Sequence, residues 1–252
     1  MPEEFKNMYK PDQLTLPPNC IEQHPFEIGV KGIRDEQFVK GPRTKQAPQQ
    51  ELADYYGMIS HLDQQVGKVI GYLTQPDLWK DTIVVYTADN GLSLGCHGLM
   101  GKQNTYEESV RVPLIFAGAD IPQGKQEQGY VHLLDIFPTL CEMMGWKIPD
   151  SVEGESFFKA FTETVWNGRE SLYFACNDMI RALKEKRYKL IEYRGKRPHA
   201  QLFDLAKDPW ERYDLSDILP DEVKCMREEL QEYAAKWENA GHMYSKAFWN
   251  RF

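Results

Sequence analysis

The chain is predicted to be α/β, with a small antiparallel sheet and a closing helix after the main body. Three observations carry that prediction. The apolar run Thr82-Ile83-Val84-Val85-Tyr86-Thr87 reads as a buried parallel strand. Upstream, residues 50–75 place Leu52, Tyr56, Ile59, Leu62, Val66, Val69, Ile70 and Leu73 at three- and four-residue steps, the stripe of an amphipathic helix. Past residue 168 the texture changes to short alternating runs separated by turn residues.

Residues 1–50 are rich in Pro, Gln and charge, with Leu16-Pro17-Pro18-Asn19 as a rigid extended piece. They read as a long surface-hugging loop that wraps a body outside this chain. The helix over 50–75 comes next, with His61 and Asp63 beside its stripe as hydrogen-bonded structural residues. Strand 82–88 delivers Asp89-Asn90. A second apolar run, Val112–Ala117, reads as the next strand, with Pro113 near its start. Residues 131–145 read as a helix with Leu133, Leu134, Phe137, Leu140 and Met144 inward, Pro138 as a kink and Gly145 as its stop.

The alternating runs are Ser171–Cys176, Met179–Leu183, Tyr188–Tyr193 and Gln201–Leu205, an antiparallel sheet of about four strands. A helix over 220–239 closes it, with Pro220 in the first turn, Asp221 and Glu222 at its positive end and Gly241 as a stop. The boundaries expected are 1–168 for the larger unit, including 1–50 as its extended loop region, and 169–252 for the smaller one.

Composition fits a packed globular protein, at 42% hydrophobic and 12% aromatic residues. A net charge of −8 argues against nucleic acid as partner. No run of 18 apolar residues marks a membrane span, and Met1-Pro2-Glu3-Glu4-Phe5-Lys6 is not a signal peptide. As it stands the chain reads as cytoplasmic, with the localisation of any longer parent open. Five cysteines, an odd number at irregular spacing, read as reduced thiols rather than a disulfide framework.

The most informative stretch is Ala88-Asp89-Asn90-Gly91-Leu92-Ser93-Leu94-Gly95-Cys96-His97-Gly98-Leu99-Met100-Gly101-Lys102. In open α/β sheets, ligands bind beyond the carboxyl ends of strands. Asp89 and Asn90 would present oxygen side chains there, suited to a hard cation such as Ca²⁺ or Mg²⁺. Lys102 adds a positive charge for an anionic group. Asp-Asn-Gly alone is a common turn sequence, and a lysine after glycine is commonly a surface residue.

With Tyr106-Glu107-Glu108-Ser109-Val110-Arg111-Val112-Pro113 this stretch resembles the second half of a sulfatase catalytic domain. Tyr55–Asp63, Leu134–Leu140 and Leu202–Glu211 extend the likeness over nearly all of residues 1–220. The resemblance implies the C-terminal part of an alkaline-phosphatase-like domain and hydrolysis of sulfuric esters in the full-length parent. It implies Asp89 and Asn90 as metal ligands beside a formylglycine and Lys102 as a contact to the sulfate. His97 falls where some relatives place a pocket residue. The family's Cys-x-Pro-x-Arg or Ser-x-Pro-x-Arg motif begins at none of Cys20, Cys96, Cys141, Cys176 and Cys225, nor at any serine. Its early Asp-Asp pair and His-x-Pro motif are also missing. The chain therefore looks like the C-terminal half, a truncated or split form that alone turns over no ester and holds Ca²⁺ weakly.

Arg181 and Lys184 are candidates to reach a substrate pocket. Glu107, Glu108 and Arg111 read as salt-bridged positions, and His132 with Asp135 as a helix-start hydrogen bond rather than a second metal site. The six tryptophans, Trp237 and Trp249 among them, read as packing or interaction surface. A related phosphonate or phosphodiester hydrolase is the alternative chemistry. A non-catalytic binding or assembly module is the alternative class. Uncovered strand edges and apolar surface predict a homodimer, a larger species or a separate N-terminal half as partner. The natural sulfate ester, whether sugar, aryl or choline, is left open, as is whether Met1 is the native start.

Overall fold

A computed structural model describes residues 1–29, 32–37, 39, 42–194, 198–237 and 248. In chain order the elements are α1 (Glu3–Lys6), α2 (Gln46–Leu73), α3 (Pro76–Trp79), β1 (Ile83–Thr87), α4 (Glu107–Val110), β2 (Leu114–Gly118), α5 (Ile136–Met143), α6 (Lys159–Thr162), β3 (Ser171–Cys176), β4 (Ile180–Glu185), β5 (Tyr188–Arg194), β6 (Pro198–Asp204) and α7 (Pro220–Trp237). The described residues of 1–45 hold only short helical turns, as their Pro- and Gln-rich composition predicts. Gly241 and Trp249 lie outside the described residues, as does the side chain of Trp237. No helix among the described residues is long and apolar enough to cross a membrane.

Strands β3 to β6 form an antiparallel meander in sequence order. Successive side chains on a strand point to opposite faces, and here both faces are covered. Ile180, Ala182, Ile191, Tyr193 and Phe203 pack against Ile28, Leu99 and Tyr106. On the other face Leu183, Leu190 and Leu202 pack against Val223, Met226 and Leu230 of α7. All eight sheet residues are essentially inaccessible to water.

The rest of the chain differs from its sequence pattern in three ways. β1 is not a buried parallel strand. It pairs antiparallel with β2, Ile83 opposite Gly118 and Thr87 opposite Leu114. Parallel pairing needs a crossover that returns the chain to the same end, whereas residues 88–113 simply turn back. Tyr86 and Ile115 are exposed.

The α2 stripe is present, but only its start is covered. Leu52 is 6% exposed, whereas Ile59, Leu62 and Val69 are 43%, 51% and 58% exposed. Residues from the N-terminal turns also touch the middle of the helix. Phe5 packs its ring 5.0 Å from that of His61, and Tyr9 bonds Ser60 at 2.9 Å.

The third difference is the inward face of 131–145. Leu133, Leu134, Phe137 and Met144 are exposed, while Asp135, Pro138, Thr139 and Cys141 are buried. Leu133–Asp135 form a 3-10 turn before α5, and Pro138 sits in the first turn of α5 rather than kinking a longer helix. Asp135 receives His132 N at 2.8 Å and two bonds from Arg169, at 2.6 and 2.9 Å. That fixes the turn as a helix-start device. Gly145, at φ 67°, ends α5 with its N–H on Glu142 O.

Candidate functional site

Strand β1 ends at Thr87, two residues before Asp89, and the chain then folds into a tight loop. Ser93 N bonds Gly101 O at 3.0 Å and Gly95 N bonds Leu99 O at 2.7 Å. Two glycines are obligatory. A Cβ on Gly91 would lie 1.9 Å from Glu108 O, and one on Gly98 would lie 2.3 Å from the backbone of Gln23 and His24. The Glu36 carboxylate holds the far side, accepting Met100 N at 3.0 Å and Gly101 N at 2.7 Å. Arg43 pairs with Glu36 at 3.0 Å and donates to Gly98 O.

This loop delivers Asp89, Asn90 and Lys102 to the wall of one cavity of about 1560 Å³. None of their side chains has a hydrogen-bond or ion-pair partner among the described residues. The same cavity is lined by Arg111, Lys125, Tyr130, Trp166, Arg169, Lys184 and Lys186. Lys125 pairs with Glu127, Arg169 with Asp135 and Lys184 with Glu107. Lys102, Arg111 and Lys186 keep no ionic partner among the described residues. The cavity is thus locally cationic in a chain of net charge −8. That suits an anion, with Asp89 and Asn90 as the oxygen donors for a hard cation.

His97 and Arg181 are not in this wall. The backbone at His97 is left-handed, φ 52°, which turns the ring inward. It stacks on Tyr106 at 3.6 Å and 8°, and Asn19 Nδ2 donates to its Nε2 at 3.0 Å. Burial, aided by His24, lowers its pKa to about 3, so the ring is neutral. Arg181 lies on the α7 side of β4. Its guanidinium donates to Asn177 O and Ile180 O and stacks 4.5 Å from the Phe248 ring. Lys184, three residues on, faces the opposite way and lines the cavity, as strand alternation requires.

Behind the loop lies a buried charge network that the sequence pattern signals only in part. Lys189 is completely buried, between Glu107 at 3.0 Å and Glu211 at 2.9 Å. Glu107 also pairs with Lys184 at 2.7 Å, and its backbone N donates to Glu211 at 2.7 Å. Burial alone would raise the Glu107 pKa, but Lys189 and Lys184 outweigh it and hold the carboxyl at about 2. Glu108 has no such cation. Burial, then the neighbouring Glu211, pushes it up to about 8.

The Glu107 carboxylate is thus held by two lysines, the salt-bridged arrangement expected of it from the sequence. His97, Glu108 and Glu211 bring ligand atoms within 4.8 Å of one another, a spacing that could hold a metal ion. The Lys189 ammonium already supplies the positive charge at Glu211. The signals for this network were a lysine inside a strand, at Lys189, and Glu211 just after the Asp208-Pro209 turn. Neither is distinctive in sequence.

A family model described as Sulfatase matches residues 21–146, and one described as N-sulphoglucosamine sulphohydrolase, C-terminal, matches residues 95–237. The chain is 30% identical over 240 residues to Arylsulfatase K of Canis lupus familiaris, covering 89% of this chain and 44% of that protein. It is 32% identical over 224 residues to an Arylsulfatase of Clostridium perfringens, covering 85% and 46%. The phosphonate monoester hydrolase SpPMH of Silicibacter pomeroyi superposes with a TM-score of 0.77, with 20% identity over 93% of this chain and 53% of that one. The chain spans less than half the length of both arylsulfatase relatives.

Proposed function

This chain belongs to the sulfatase family, and we propose that it supplies the sulfate-recognition side of a sulfuric-ester hydrolase site whose nucleophile lies outside it. The observation that carries this is the convergence of Asp89, Asn90 and Lys102, all unpartnered among the described residues, on one cationic cavity. Lys102 contacts the sulfate oxygens and neutralises charge that builds as the S–O bond breaks. Asp89 and Asn90 hold a divalent cation through their side-chain oxygens. That cation would supply further charge neutralisation at the sulfate. Two side chains fall short of the six to eight oxygens that Ca²⁺ takes, so the chain alone binds it weakly.

The remaining ligands and the formylglycine come from an N-terminal half. It docks on the exposed apolar residues of α2 and of the β1–β2 sheet, on the same polypeptide or as a separate chain. Residues 1–168 then form one body with that half, and 169–252 stand as the smaller unit. The likeness to a phosphonate monoester hydrolase, at 20% identity, concerns the fold alone.

The test is turnover of an aryl sulfate with Ca²⁺, by this chain alone and mixed with an N-terminal half that carries Cys-x-Pro-x-Arg. Activity only on mixing, abolished by Lys102→Ala, is expected. Turnover by the chain alone, or micromolar Ca²⁺ affinity in its isothermal titration, would contradict the reading. A stable homodimer that excludes the added half would favour an assembly module instead.

A further inference from the structure

We propose that Cys20 and Cys96 are a disulfide-forming pair that fastens the N-terminal segment to the loop carrying Lys102. The two residues oppose each other across an antiparallel backbone bridge. His97 N bonds Asn19 O at 2.8 Å, and Ile21 N bonds Gly95 O at 3.3 Å. These bonds bracket the cysteines rather than joining them. Cys20 and Cys96 are therefore a non-hydrogen-bonded pair, the position where opposed Cα atoms approach to about 4.5 Å and side chains stand closest. A disulfide spans Cα separations of about 4.4–6.8 Å, a range that includes the spacing typical of such pairs. Cys20 Sγ lies 3.0 Å from where a Cβ on Gly95 would be, next to its partner.

No other cysteines are opposed in this way among the described residues. Cys141 and Cys225 lie on separate helices and Cys176 faces Ile180 across β3–β4. All five are free thiols in the structure. Their odd number and irregular spacing hid the pair, because the two partners are brought together only by the fold.

The chemistry needs a small disulfide as oxidant, such as oxidised glutathione. Cys20, half-buried, is the reachable sulfur and starts the exchange. Its thiolate attacks the oxidant, forms a mixed disulfide and expels one small thiolate. The Cys96 thiolate then attacks Cys20 Sγ and expels the second. The two cysteines lose two electrons, which reduce the oxidant to two thiols, and their two protons pass to the leaving thiolates. Burial raises the pKa of both cysteines, so the exchange is slow at neutral pH. Once closed, the bond ties Asn19-Cys20-Ile21 to the turn just before Gly98 and stabilises the loop by restricting the unfolded chain.

The experiment equilibrates the whole chain in buffers of graded oxidised-to-reduced glutathione, quenches with acid, alkylates under denaturant and maps peptides without reduction. Expected is a fall from five to three alkylatable thiols, a Cys20–Cys96 peptide lighter by two hydrogens, and a higher thermal midpoint that reverts on reduction. In Cys20→Ser, a change at the half-buried position, neither the cross-link nor the oxidation-dependent midpoint shift should occur. Five alkylatable thiols at every ratio, or cross-links joining other cysteines, would overturn the proposal. Neither result bears on whether the site acts on sulfate.

Discussion

The four-stranded sheet covers both its faces from within the chain. One face meets Leu99 of the Asp89–Lys102 loop and Tyr106 just beyond it, and the other meets α7. The α2 helix and the β1–β2 sheet carry apolar residues too, yet Ile59, Leu62, Val69, Tyr86 and Ile115 face water. The contrast teaches that the small sheet buries its apolar faces within the chain, whereas the segment that presents Asp89 and Asn90 leaves apolar residues exposed, the surface we propose for a covering body. The candidate site sits on the seam between these two regions.

Four measurements would break or sharpen this contrast. The largest effect is expected at the charge network that joins the sheet to the loop. Lys189→Met leaves Glu107 and Glu211 buried without their shared cation, and should cost about 3–5 kcal/mol in urea unfolding. A cost below about 1 kcal/mol would show that the network is not closed to water. Next is the sheet core. Leu190→Ala should cost about 2–5 kcal/mol, as for other fully buried leucines.

A pH effect follows from Glu108 and His97. Burial lowers the His97 pKa to about 3, so stability falls as pH drops below the ordinary histidine value of 6.5. Glu108 is raised from 4.5 to about 8, so the folded state binds the extra proton in that window. Its contribution is fully present below pH 4.5 and is lost as pH rises to 8. Between 4.5 and 6.5 the two trends oppose each other. Above 6.5 stability should decline towards pH 8, with Glu185, raised to about 7 by burial and the neighbouring Glu229, adding to Glu108 in the first part of that range. Glu108→Gln should flatten that decline, measured as unfolding midpoints across pH. The smallest effect is expected on the uncovered helix, where Ile59→Ser should change chain stability by no more than about 0.5 kcal/mol. A cost near that of Leu190→Ala would mean that α2 is already covered.

Much of this was legible in the sequence. The β3–β6 strands and α7 follow their alternation and capping signals because every face they bury is buried by the same chain. The α2 stripe was equally legible, but periodicity identifies a face and not whether its neighbour is present. The same limit misled the reading of Leu133, Leu134 and Phe137 as inward. For β1, an apolar run reports burial potential and carries no information on strand direction. The site divided along similar lines. Asp89, Asn90 and Lys102 share a wall because the loop between them is short and closed on itself. The inward turn of His97 depends on a left-handed backbone that its residue type does not require. Arg181 and Lys184 could not both face the pocket, since three steps along a strand reverse the face.

The central claim is that the α2 and β1–β2 surface receives the half that completes the site. Hydrogen–deuterium exchange on this chain, before and after adding an N-terminal half with Cys-x-Pro-x-Arg, tests it most directly. Slowed exchange confined to residues 56–72, 83–87 and 114–118, with β3–β6 unchanged, is the predicted result. Unchanged exchange along α2 and β1, under conditions where the two halves demonstrably associate, would contradict it.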